Sequence, residues 1–454
     1  MNLWEKFKSL FKKHEPLSPG TLHMRGEDGG QTYRLHLRID PGGKGTLIIN
    51  AARIIHLNQT ATEYARHLIK NDSRETVAKE MTRRYHVSKD TVLKDYDNLK
   101  ETIRTLVKTG DICPITYLDA ERVEPFTTPV SSPYRMDLAM TYSCNNRCSH
   151  CYVPGDRLNI QELSTDQWKE VLNRLWEIGI PHVCFTGGEA TLREDLVELV
   201  EHAENLGIVT GLLTNGRRLS DQEYVKKLVE AGLDHFQITL ETHIEEIHDQ
   251  MVGVRGAWKE TVAGLKNALD TDVYTITNTT LTTLNADSAV DTVEFLADTG
   301  VEVFAMNGII YAGRGEDCGI ALPEVELGKY LEPVRKKALE KHMRFIWYTP
   351  TRYCNFDPVG AGLGPKQCSA AKANMCIEPN GDVLPCQSYY QPVGNILKDP
   401  WDKIWNAPLC NDIRERKNIP DMCRSCKLFP ICGGGCPLWK EGSEFICRES
   451  KSAS

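Results

Sequence analysis

The sequence predicts an α/β protein whose centre is a partial (β/α)6 TIM-like barrel over residues 134–350. Two observations predict it. Six short apolar segments alternate with amphipathic helical patterns, which is the pattern of a parallel sheet covered by helices. A Pro-rich stretch precedes this region and a Cys-, Gly- and Pro-rich tail follows it. We therefore expect one barrel domain flanked by two smaller modules.

The predicted barrel strands are short and apolar, and they are rich in β-branched residues. In chain order they are MDLAMT, HVCFTG, VTGLLT, HFQITL, VYTITNTT and VEVFAM. The segments between them, such as DQWKEVLNRLWEIG and EDLVELVEHAENLG, repeat apolar residues every three or four positions. That spacing is typical of helices that cover one face of a sheet.

Residues 20–112 are predicted to form a small α+β domain of winged-helix-like character. Two β-rich segments, TYRLHLRI and GTLIINAARIIHL, precede three helical patterns. The first helix is expected to open at Thr60 with Glu63 completing a capping box, and the next two follow Ser73 and Ser88. A basic amphipathic segment at residues 1–19 precedes the domain. A Pro-rich linker at 113–133 follows it.

Bulk composition limits the class of protein. The chain is 41% hydrophobic and 26% charged, with a net charge of −8, so the molecule as a whole is not built to attract nucleic acid. No run of apolar residues is long enough to span a membrane. The first residues lack the apolar core of a secretory signal. We expect a cytoplasmic protein without stable membrane insertion, in which clustered cysteines bind metal or carry out redox chemistry.

Cys144, Cys148 and Cys151 form a C-x3-C-x2-C motif directly after the first predicted barrel strand. That is the carboxyl end of the strand, where barrel enzymes keep their chemistry. Three thiolates can hold three corners of a [4Fe–4S] cube and leave the fourth iron open. The alternative is a zinc site that takes His150 as its fourth ligand.

The loop and the strand ends that follow it resemble the radical S-adenosylmethionine (SAM) superfamily. Thr186-Gly187-Gly188-Glu189 matches the Gly-Gly-Glu segment of that family, although Ala190 stands where the family usually has proline. Leu213-Thr214-Asn215-Gly216 ends the third strand, and Thr239 and Glu241 end the fourth. The resemblance implies a SAM-binding [4Fe–4S] cluster and argues against zinc.

The resemblance also implies roles for individual residues. His150 is expected to lie against the adenine of SAM. The backbone of Gly187, Gly188 and Glu189 is expected to hold the amino group of SAM, and Thr239 and Glu241 to lie near the ribose. The implied reaction is reductive cleavage of SAM to a 5′-deoxyadenosyl radical, which removes a substrate hydrogen in a closed, dry cavity.

Most cysteines lie in the tail, residues 351–454. Ten of the sixteen fall between Cys354 and Cys447. A motif array contains seven of them, namely Cys368, Cys386, Cys423, Cys426, Cys432, Cys436 and Cys447. A zinc ribbon with spare thiols is one interpretation. Two four-ligand sites are another, and they would need Cys354 as the eighth ligand.

The array closely resembles the SPASM extension of radical SAM enzymes, which binds two auxiliary iron–sulfur clusters. The resemblance implies that one cluster is bound by Cys368, Cys386 and Cys436, with Cys354 or Cys376 as the fourth ligand. It implies that the other is bound by Cys423, Cys426, Cys432 and Cys447. Four further cysteines are expected to be ordinary buried thiols, namely Cys113, Cys184, Cys318 and Cys410.

The N-terminal domain resembles the small peptide chaperone of pyrroloquinoline-quinone biosynthesis. The match is Ile55-His56-Leu57-Asn58 followed by the three helices. In that family a leader peptide adds to the sheet as an extra strand. A structural docking role and a winged-helix DNA-binding role are the alternatives. The helices carry acids as well as bases, so we expect no nucleic-acid partner.

The three modules together predict a radical SAM oxidoreductase that matures a peptide or protein by crosslinking or side-chain oxidation. Its expected partners are a leader-bearing peptide substrate and a flavodoxin or ferredoxin reductant. The main alternative is maturation of a small-molecule cofactor, such as a tetrapyrrole. Anaerobic sulfatase maturation is disfavoured because Gln387, not aspartate, follows Cys386. An iron–sulfur regulator would not need a SAM pocket. The sequence identifies no catalytic acid or base.

Overall fold

The computed structural model describes residues 15–28, 30–50, 53–108 and 130–438. The predicted amphipathic segment and the linker lie mostly outside these ranges, and Cys447 and Cys113 lie outside them entirely. The described chain divides into two compact units. One holds the residues up to 108 together with Trp176–Pro181, and the other holds the rest of the described residues from 130 onward.

The N-terminal unit is a four-stranded antiparallel meander followed by three helices. Its strands pair in chain order, and its elements are β1 (Gly20–Asp28), β2 (Gln31–Ile39), β3 (Gly45–Ile49), β4 (Arg53–Leu57), α1 (Gln59–Ile69), α2 (Arg74–Arg84) and α3 (Lys89–Lys108). Leu35, Leu37 and Leu47 of the sheet are fully buried, and Leu106 of α3 packs in the same cluster. The alternation of apolar residues along β2 thus places one face of the sheet under the helices.

The first helix begins earlier than the sequence predicted. Asn58 caps α1, because its side chain accepts a hydrogen bond from the N–H of Ala61 at 2.9 Å. Thr60 already lies inside the helix, and Glu63 is not part of a capping box. The Glu63 carboxylate is buried and binds the Arg84 guanidinium at 2.7 Å, so it ties α1 to α2. The sequence did not predict Asn58 as the cap because it ends the strand motif Ile55-His56-Leu57-Asn58.

The second unit contains a ten-stranded sheet whose order is β11-β10-β9-β8-β7-β6-β5-β12-β13-β14. Its last three strands are β12 (Asn374–Ile377), β13 (Asp382–Leu384) and β14 (Gly394–Asn395). Seven consecutive strands are parallel, namely β5 (Arg135–Thr141), β6 (His182–Gly187), β7 (Val209–Thr214), β8 (His235–Thr239), β9 (Tyr274–Thr280), β10 (Val303–Asn307) and β11 (Arg344–Trp347). The six predicted strands are all present, and β11 extends them. In the described chain β11 and β14 are the sheet edges, so the barrel is open, as predicted.

Amphipathic helices follow the strands and bury their apolar faces. They are α4 (Thr165–Ile178), α5 (Leu196–Leu206), α6 (Gln222–Glu230), α7 (Glu245–Val252), α8 (Ala257–Leu269), α9 (Ala289–Thr299) and α10 (Leu327–Glu340). Trp168 on α4 and Phe185 on β6 are fully buried. The strands are therefore covered by helices, and their carboxyl ends meet at one edge of the sheet. No helix in the described ranges combines the length and apolarity needed to cross a bilayer.

The Cys-rich tail is joined to the barrel through the sheet. Its elements are β12 (Asn374–Ile377), β13 (Asp382–Leu384), β14 (Gly394–Asn395), α11 (Trp401–Trp405), α12 (Pro408–Arg414), α13 (Asp421–Arg424) and α14 (Phe429–Cys432). Strand β12 pairs in parallel with β5. Directly after β12, the buried Glu378 carboxylate accepts hydrogen bonds from Tyr142 and Arg157, both at 3.1 Å. The tail is thus fastened to the end of the first barrel strand.

Replacing Glu378 should loosen this attachment. Glu378→Ala leaves the Arg157 charge without its partner, and breaking a buried ion pair costs about 3 kcal/mol. We expect a lower unfolding midpoint in calorimetry and faster proteolysis of the tail. Glu332→Ala, which removes an exposed carboxylate on α10, is the control and should change neither. Equal behaviour of the two variants would show that Glu378 does not hold the tail.

Candidate functional site

The three cysteines of the C-x3-C-x2-C motif lie together in the loop after β5. All are free thiols. Burial is the main cause that raises the pKa of Cys144 to about 11, with smaller contributions from Glu189 and Cys151. Burial also raises the pKa of Cys148, and the negative charges of Cys151 and Cys144 add to this effect. The thiols are close enough to repel one another when ionised, so a bound cation would be needed to keep them as thiolates.

Backbone hydrogen bonds hold this loop in place. Arg147 and Ser149 donate their N–H groups to the carbonyls of Val252 and Met251 at the end of α7, at 2.8 and 2.9 Å. The loop is therefore anchored to an element about a hundred residues further along the chain. Its conformation is fixed by the barrel and not only by its own sequence.

The Gly187-Gly188 pair lies where β6 passes close to the end of β5. Gly188 donates its N–H to the Thr141 carbonyl at 2.7 Å. A Cβ at Gly187 would lie 2.1 Å from that carbonyl oxygen, and a Cβ at Gly188 would lie 2.3 Å from the carbonyl oxygen of Ser143. The φ of Gly187 is +135°, which also disfavours a side chain. Glycine is needed here for contact between two strand ends, and not only for approach to a ligand.

The side chain of Glu189 organises the ends of β6 and β7. It is buried and accepts hydrogen bonds from the hydroxyls of Thr191 and Thr214, both at 2.7 Å, and from the N–H of Asn215 at 2.8 Å. Because its carboxylate is satisfied within the protein, any contact of Glu189 with a ligand would be through its backbone.

Glu241 lies at the end of β8 and contacts the cysteine loop directly. One carboxylate oxygen accepts from His150 Nε2 at 3.0 Å, and the other accepts from the N–H of Thr280 at 2.8 Å. The backbone N–H of Glu241 donates to His248 Nδ1 at 3.2 Å. Burial lowers the pKa of His248, so its ring is neutral and can accept this hydrogen bond. The resemblance implied only that His150 and Glu241 each lie near SAM, whereas the structure places the two side chains in contact with each other.

Several buried polar atoms near these strand ends have no hydrogen-bond partner among the described residues. They are His150 Nδ1, His248 Nε2 and Asn278 Oδ1. Asn278 pairs in register with Thr239, the last residue of β8. Buried polar groups are normally satisfied, so this edge of the sheet is suited to a polar ligand with both donors and acceptors. SAM is such a ligand, and the residues present fit it.

In the tail, one set of thiols lies within electrostatic range of one another. Burial, and then the charge of Cys368, raise the pKa of Cys386 to about 11. Burial and the charges of Cys368 and Cys386 raise the pKa of Cys436. These three cysteines are the ones that the sequence assigned to the first auxiliary cluster.

A second group of tail cysteines lies around Arg352 and Cys432. The charge of Cys426 raises the pKa of Cys432, after burial as the main cause. The charges of Cys354, Cys423 and Cys432 all act on the pKa of Arg352, which burial lowers. The last predicted ligand, Cys447, lies outside the described residues.

The two candidates for the fourth ligand of the first set differ in their surroundings. Cys376 is fully buried on β12, and Cys386 is among the charges that raise its pKa, after burial and Asp137. Cys354 is exposed and interacts with Arg352, beside the second set.

Arg314 contacts the cysteine loop, but the sequence did not predict it as a site residue. Its guanidinium donates to the Cys148 carbonyl at 2.9 Å across a separation of 166 residues. It lies in a 3-10 turn, Gly313–Glu316, after β10. No motif marks this position, because the contact depends on the barrel bringing the two loops together.

Comparison with known families agrees with this arrangement. The family model of the Radical SAM superfamily matches residues 138–296. The SPASM model, an iron–sulfur cluster-binding domain, matches residues 368–427. The two matches cover the barrel strands that carry the site and most of the tail cysteines.

Curated relatives cover most of both chains. The PqqA peptide cyclase of Bradyrhizobium diazoefficiens is 30% identical over 321 residues, which are 67% of this chain and 81% of that protein. The Fe-coproporphyrin III synthase of Methanosarcina barkeri is 27% identical over 327 residues, 65% of this chain and 81% of that protein.

Among solved structures, Streptococcus suis SuiB bound to its precursor peptide SuiA aligns with a TM-score of 0.66 at 18% identity. The alignment covers 94% of this chain and 100% of that chain, so the fold is shared along nearly the whole length. Together with the 30% identity to a curated relative over most of its length, these matches show that the chain belongs to the radical SAM superfamily, in the group of enzymes with a [4Fe–4S] cluster, SAM and a SPASM auxiliary-cluster domain.

Proposed function

We propose that the protein is a radical SAM enzyme that modifies a peptide or protein substrate by crosslinking or side-chain oxidation. The observation that carries the proposal is the carboxyl edge of the barrel, where three free thiols lie beside polar atoms that have no hydrogen-bond partner in the described part of the chain. Two of the relatives are named for peptides: the cyclase for PqqA, and SuiB for its complex with a precursor peptide.

Cys144, Cys148 and Cys151 would hold three irons of a [4Fe–4S] cluster and leave one iron for SAM. When bound, the cluster supplies the electron that cleaves SAM to a 5′-deoxyadenosyl radical. The chain itself would position SAM through His150, Gly187, Gly188, Glu189, Thr239 and Glu241. SAM's amino group donates hydrogen bonds, so it needs acceptors, which backbone carbonyls can supply. The N–H groups of Gly188 and Glu189 are already engaged by carbonyls of β5 and of the loop that follows it.

Two auxiliary iron–sulfur clusters would lie in the tail. We assign Cys368, Cys386 and Cys436 to one, with Cys354 or Cys376 as the fourth ligand. We assign Cys423, Cys426, Cys432 and Cys447 to the other. They would take up the electron left when the substrate radical is oxidised, or pass electrons to the SAM-binding cluster.

We assign residues 20–112 to recognition of a leader segment. The match to peptide chaperones lies on β4, which is an edge strand of the four-stranded sheet. Ile54 on this strand is an exposed large apolar residue. An exposed apolar edge is a liability unless a further strand adds to it, so β4 is the edge we assign to the leader.

The remaining domain boundaries that we propose are 113–133 for the linker, 134–350 for the barrel and 351–454 for the tail. We propose a flavodoxin or ferredoxin as the single-electron donor. We also propose the cytoplasm as the location, because clustered thiolates and iron–sulfur clusters need reducing conditions.

A second candidate function is maturation of a small molecule such as a tetrapyrrole. The relative named Fe-coproporphyrin III synthase favours it. A small substrate has no use for a leader-binding strand, however. Turnover of a porphyrin, without change to any peptide, would reverse the order of the two proposals.

Iron analysis tests the ligand assignment. The reconstituted wild type should hold about twelve irons and twelve sulfides per chain, as expected for three cubes. Replacing Cys144, Cys148 and Cys151 together with Ala should lower both to about eight and abolish SAM cleavage. Cys410→Ala is the control, because Cys410 is a buried thiol in α12 outside both sets. Full SAM cleavage by the triple variant would refute the assignment.

Gly188→Ala tests the strand-end contact. The added Cβ would lie 2.3 Å from the Ser143 carbonyl, just before Cys144, so β6 must move away from the cysteine loop. A displacement of about 1 Å can cost on the order of 100-fold in rate. We expect a loss of that order in SAM cleavage, measured as 5′-deoxyadenosine formed. Gly155→Ala, where a Cβ meets nothing within 4 Å, should keep full activity.

Ile54→Asp tests leader recognition. A carboxylate on the β4 edge should weaken binding of a leader-bearing precursor peptide about tenfold, measured by fluorescence anisotropy. SAM cleavage without peptide should not change. Val87→Asp is the matched control, because both side chains are 41% exposed in the same unit. If the two variants bound the peptide with equal affinity, the proposal that β4 recognises the leader would be wrong.

A further inference from the structure

A second group of metal-ligating side chains lies at the opposite ends of the barrel strands. His182 opens β6 and His235 opens β8, whereas the cysteine motif follows the carboxyl end of β5. Cys184, two residues after His182, lies between them. The ligand atoms of these three residues all lie within 4.8 Å of one another. Neither the SAM-binding loop nor the auxiliary-cluster sets include any of the three.

The strand pairing places these side chains together. His182 and Cys184 are two positions apart on β6, so they point to the same face of the sheet. Cys184 pairs with Gly211 on β7, and Gly211 pairs with His235 on β8. A Cβ at Gly211 would lie 2.1 Å from His235 Nε2. The imidazole therefore crosses β7 at a position where only glycine leaves room for it.

The separations fit tetrahedral zinc. Cys184 Sγ lies 3.5 Å from His182 Nε2 and 3.9 Å from His235 Nε2. Zinc bonds of about 2.3 Å to sulfur and about 2.0 Å to nitrogen, at a tetrahedral angle, separate the two ligand atoms by about 3.5 Å. Both imidazoles point Nε2 at the sulfur, an arrangement that one shared ion can use.

The protonation state of His235 and the nearby ion pair are compatible with metal binding. Burial, and then the Arg135 charge, lower the pKa of His235 to about 4, so its imidazole is neutral and can offer a lone pair to a metal. Burial raises the pKa of Cys184 to about 12, Arg135 opposes the shift and Asp137 adds to it. Arg135 and Asp137 form an ion pair at 3.1 Å, so their charges largely cancel. A zinc ion would replace the thiol proton and neutralise the buried thiolate.

We propose that His182, Cys184 and His235 bind one zinc ion, whose fourth position is open to water. The ion would join β6 to β8 across β7 and close the amino end of the barrel, away from the radical chemistry. From the sequence alone, Cys184 was expected to be an ordinary buried thiol. The alternative is a hydrogen-bonded group, in which the thiol donates to one imidazole and accepts from the other.

The test uses the full chain, first reconstituted with iron and sulfide so that the cluster cysteines are filled. The protein is then incubated with excess zinc and desalted, and metals are measured by mass spectrometry. We expect about one zinc per chain. His235→Gln should lose at least nine-tenths of that zinc while its iron content stays at the wild-type level. Cys410→Ser, which removes a buried thiol elsewhere, should keep the zinc.

X-ray absorption at the zinc edge gives an independent readout on the wild type alone. One sulfur at about 2.3 Å and two nitrogens at about 2.0 Å are expected. Coordination by sulfur only would place the zinc in a cluster site and overturn the proposal. No zinc in the wild type, or equal zinc in His235→Gln, would overturn it as well and leave the hydrogen-bonded group. If His235→Gln does not fold, His182→Gln takes its place.

Discussion

The contact between the ends of β5 and β6 is the constraint on which the candidate site depends. The N–H of Gly188 binds the Thr141 carbonyl, and the N–H of Glu189 binds the Ser143 carbonyl, at 2.7 and 2.9 Å. These bonds continue the parallel pairing one step beyond the strands. The second bond fixes Ser143, the residue directly before Cys144. Since no side chain fits between the two segments, the glycine pair fixes where the cysteine loop starts. The cluster ligands and the Gly-Gly-Glu segment are therefore two parts of one backbone arrangement.

Buried carboxylates extend that arrangement around the carboxyl edge of the sheet. Glu189 links the ends of β6 and β7, and Glu241 links the end of β8 to His150 and to β9. Each carboxylate is nearly inaccessible and is satisfied by hydroxyls, backbone N–H groups or an imidazole. Charged acceptors with several donors are strong and directional, so they hold successive strand ends in fixed relation. The polar atoms for which the described ranges provide no partner are therefore held in fixed positions at this edge.

The sequence predicted what depends on local pattern and missed what depends on distant pairing. Apolar periodicity gave all six strands, and motif spacing gave the cysteine loop. The cap at Asn58 was missed because that residue also ends a strand motif. The pairing of Asn374 with Arg135 joins positions that are 239 residues apart, so no local pattern can predict it. For the same reason His182 and His235 were not noticed, since only the register across Gly211 brings them to one sulfur.

The attachment of the tail to β5 has a consequence for electron transfer. Because β12 extends the barrel sheet, Cys376 lies in register with Asp137 on the strand that leads into the cysteine loop. Tyr142, at the start of that loop, is bound by Glu378 at the end of β12. Strand β12, which carries Cys376, is therefore connected to the cysteine loop through a continuous sheet and a buried hydrogen bond, not through a flexible linker. With the clusters bound as proposed, this rigid connection would keep the distance between the two redox centres constant, and electron transfer between them would depend on that distance.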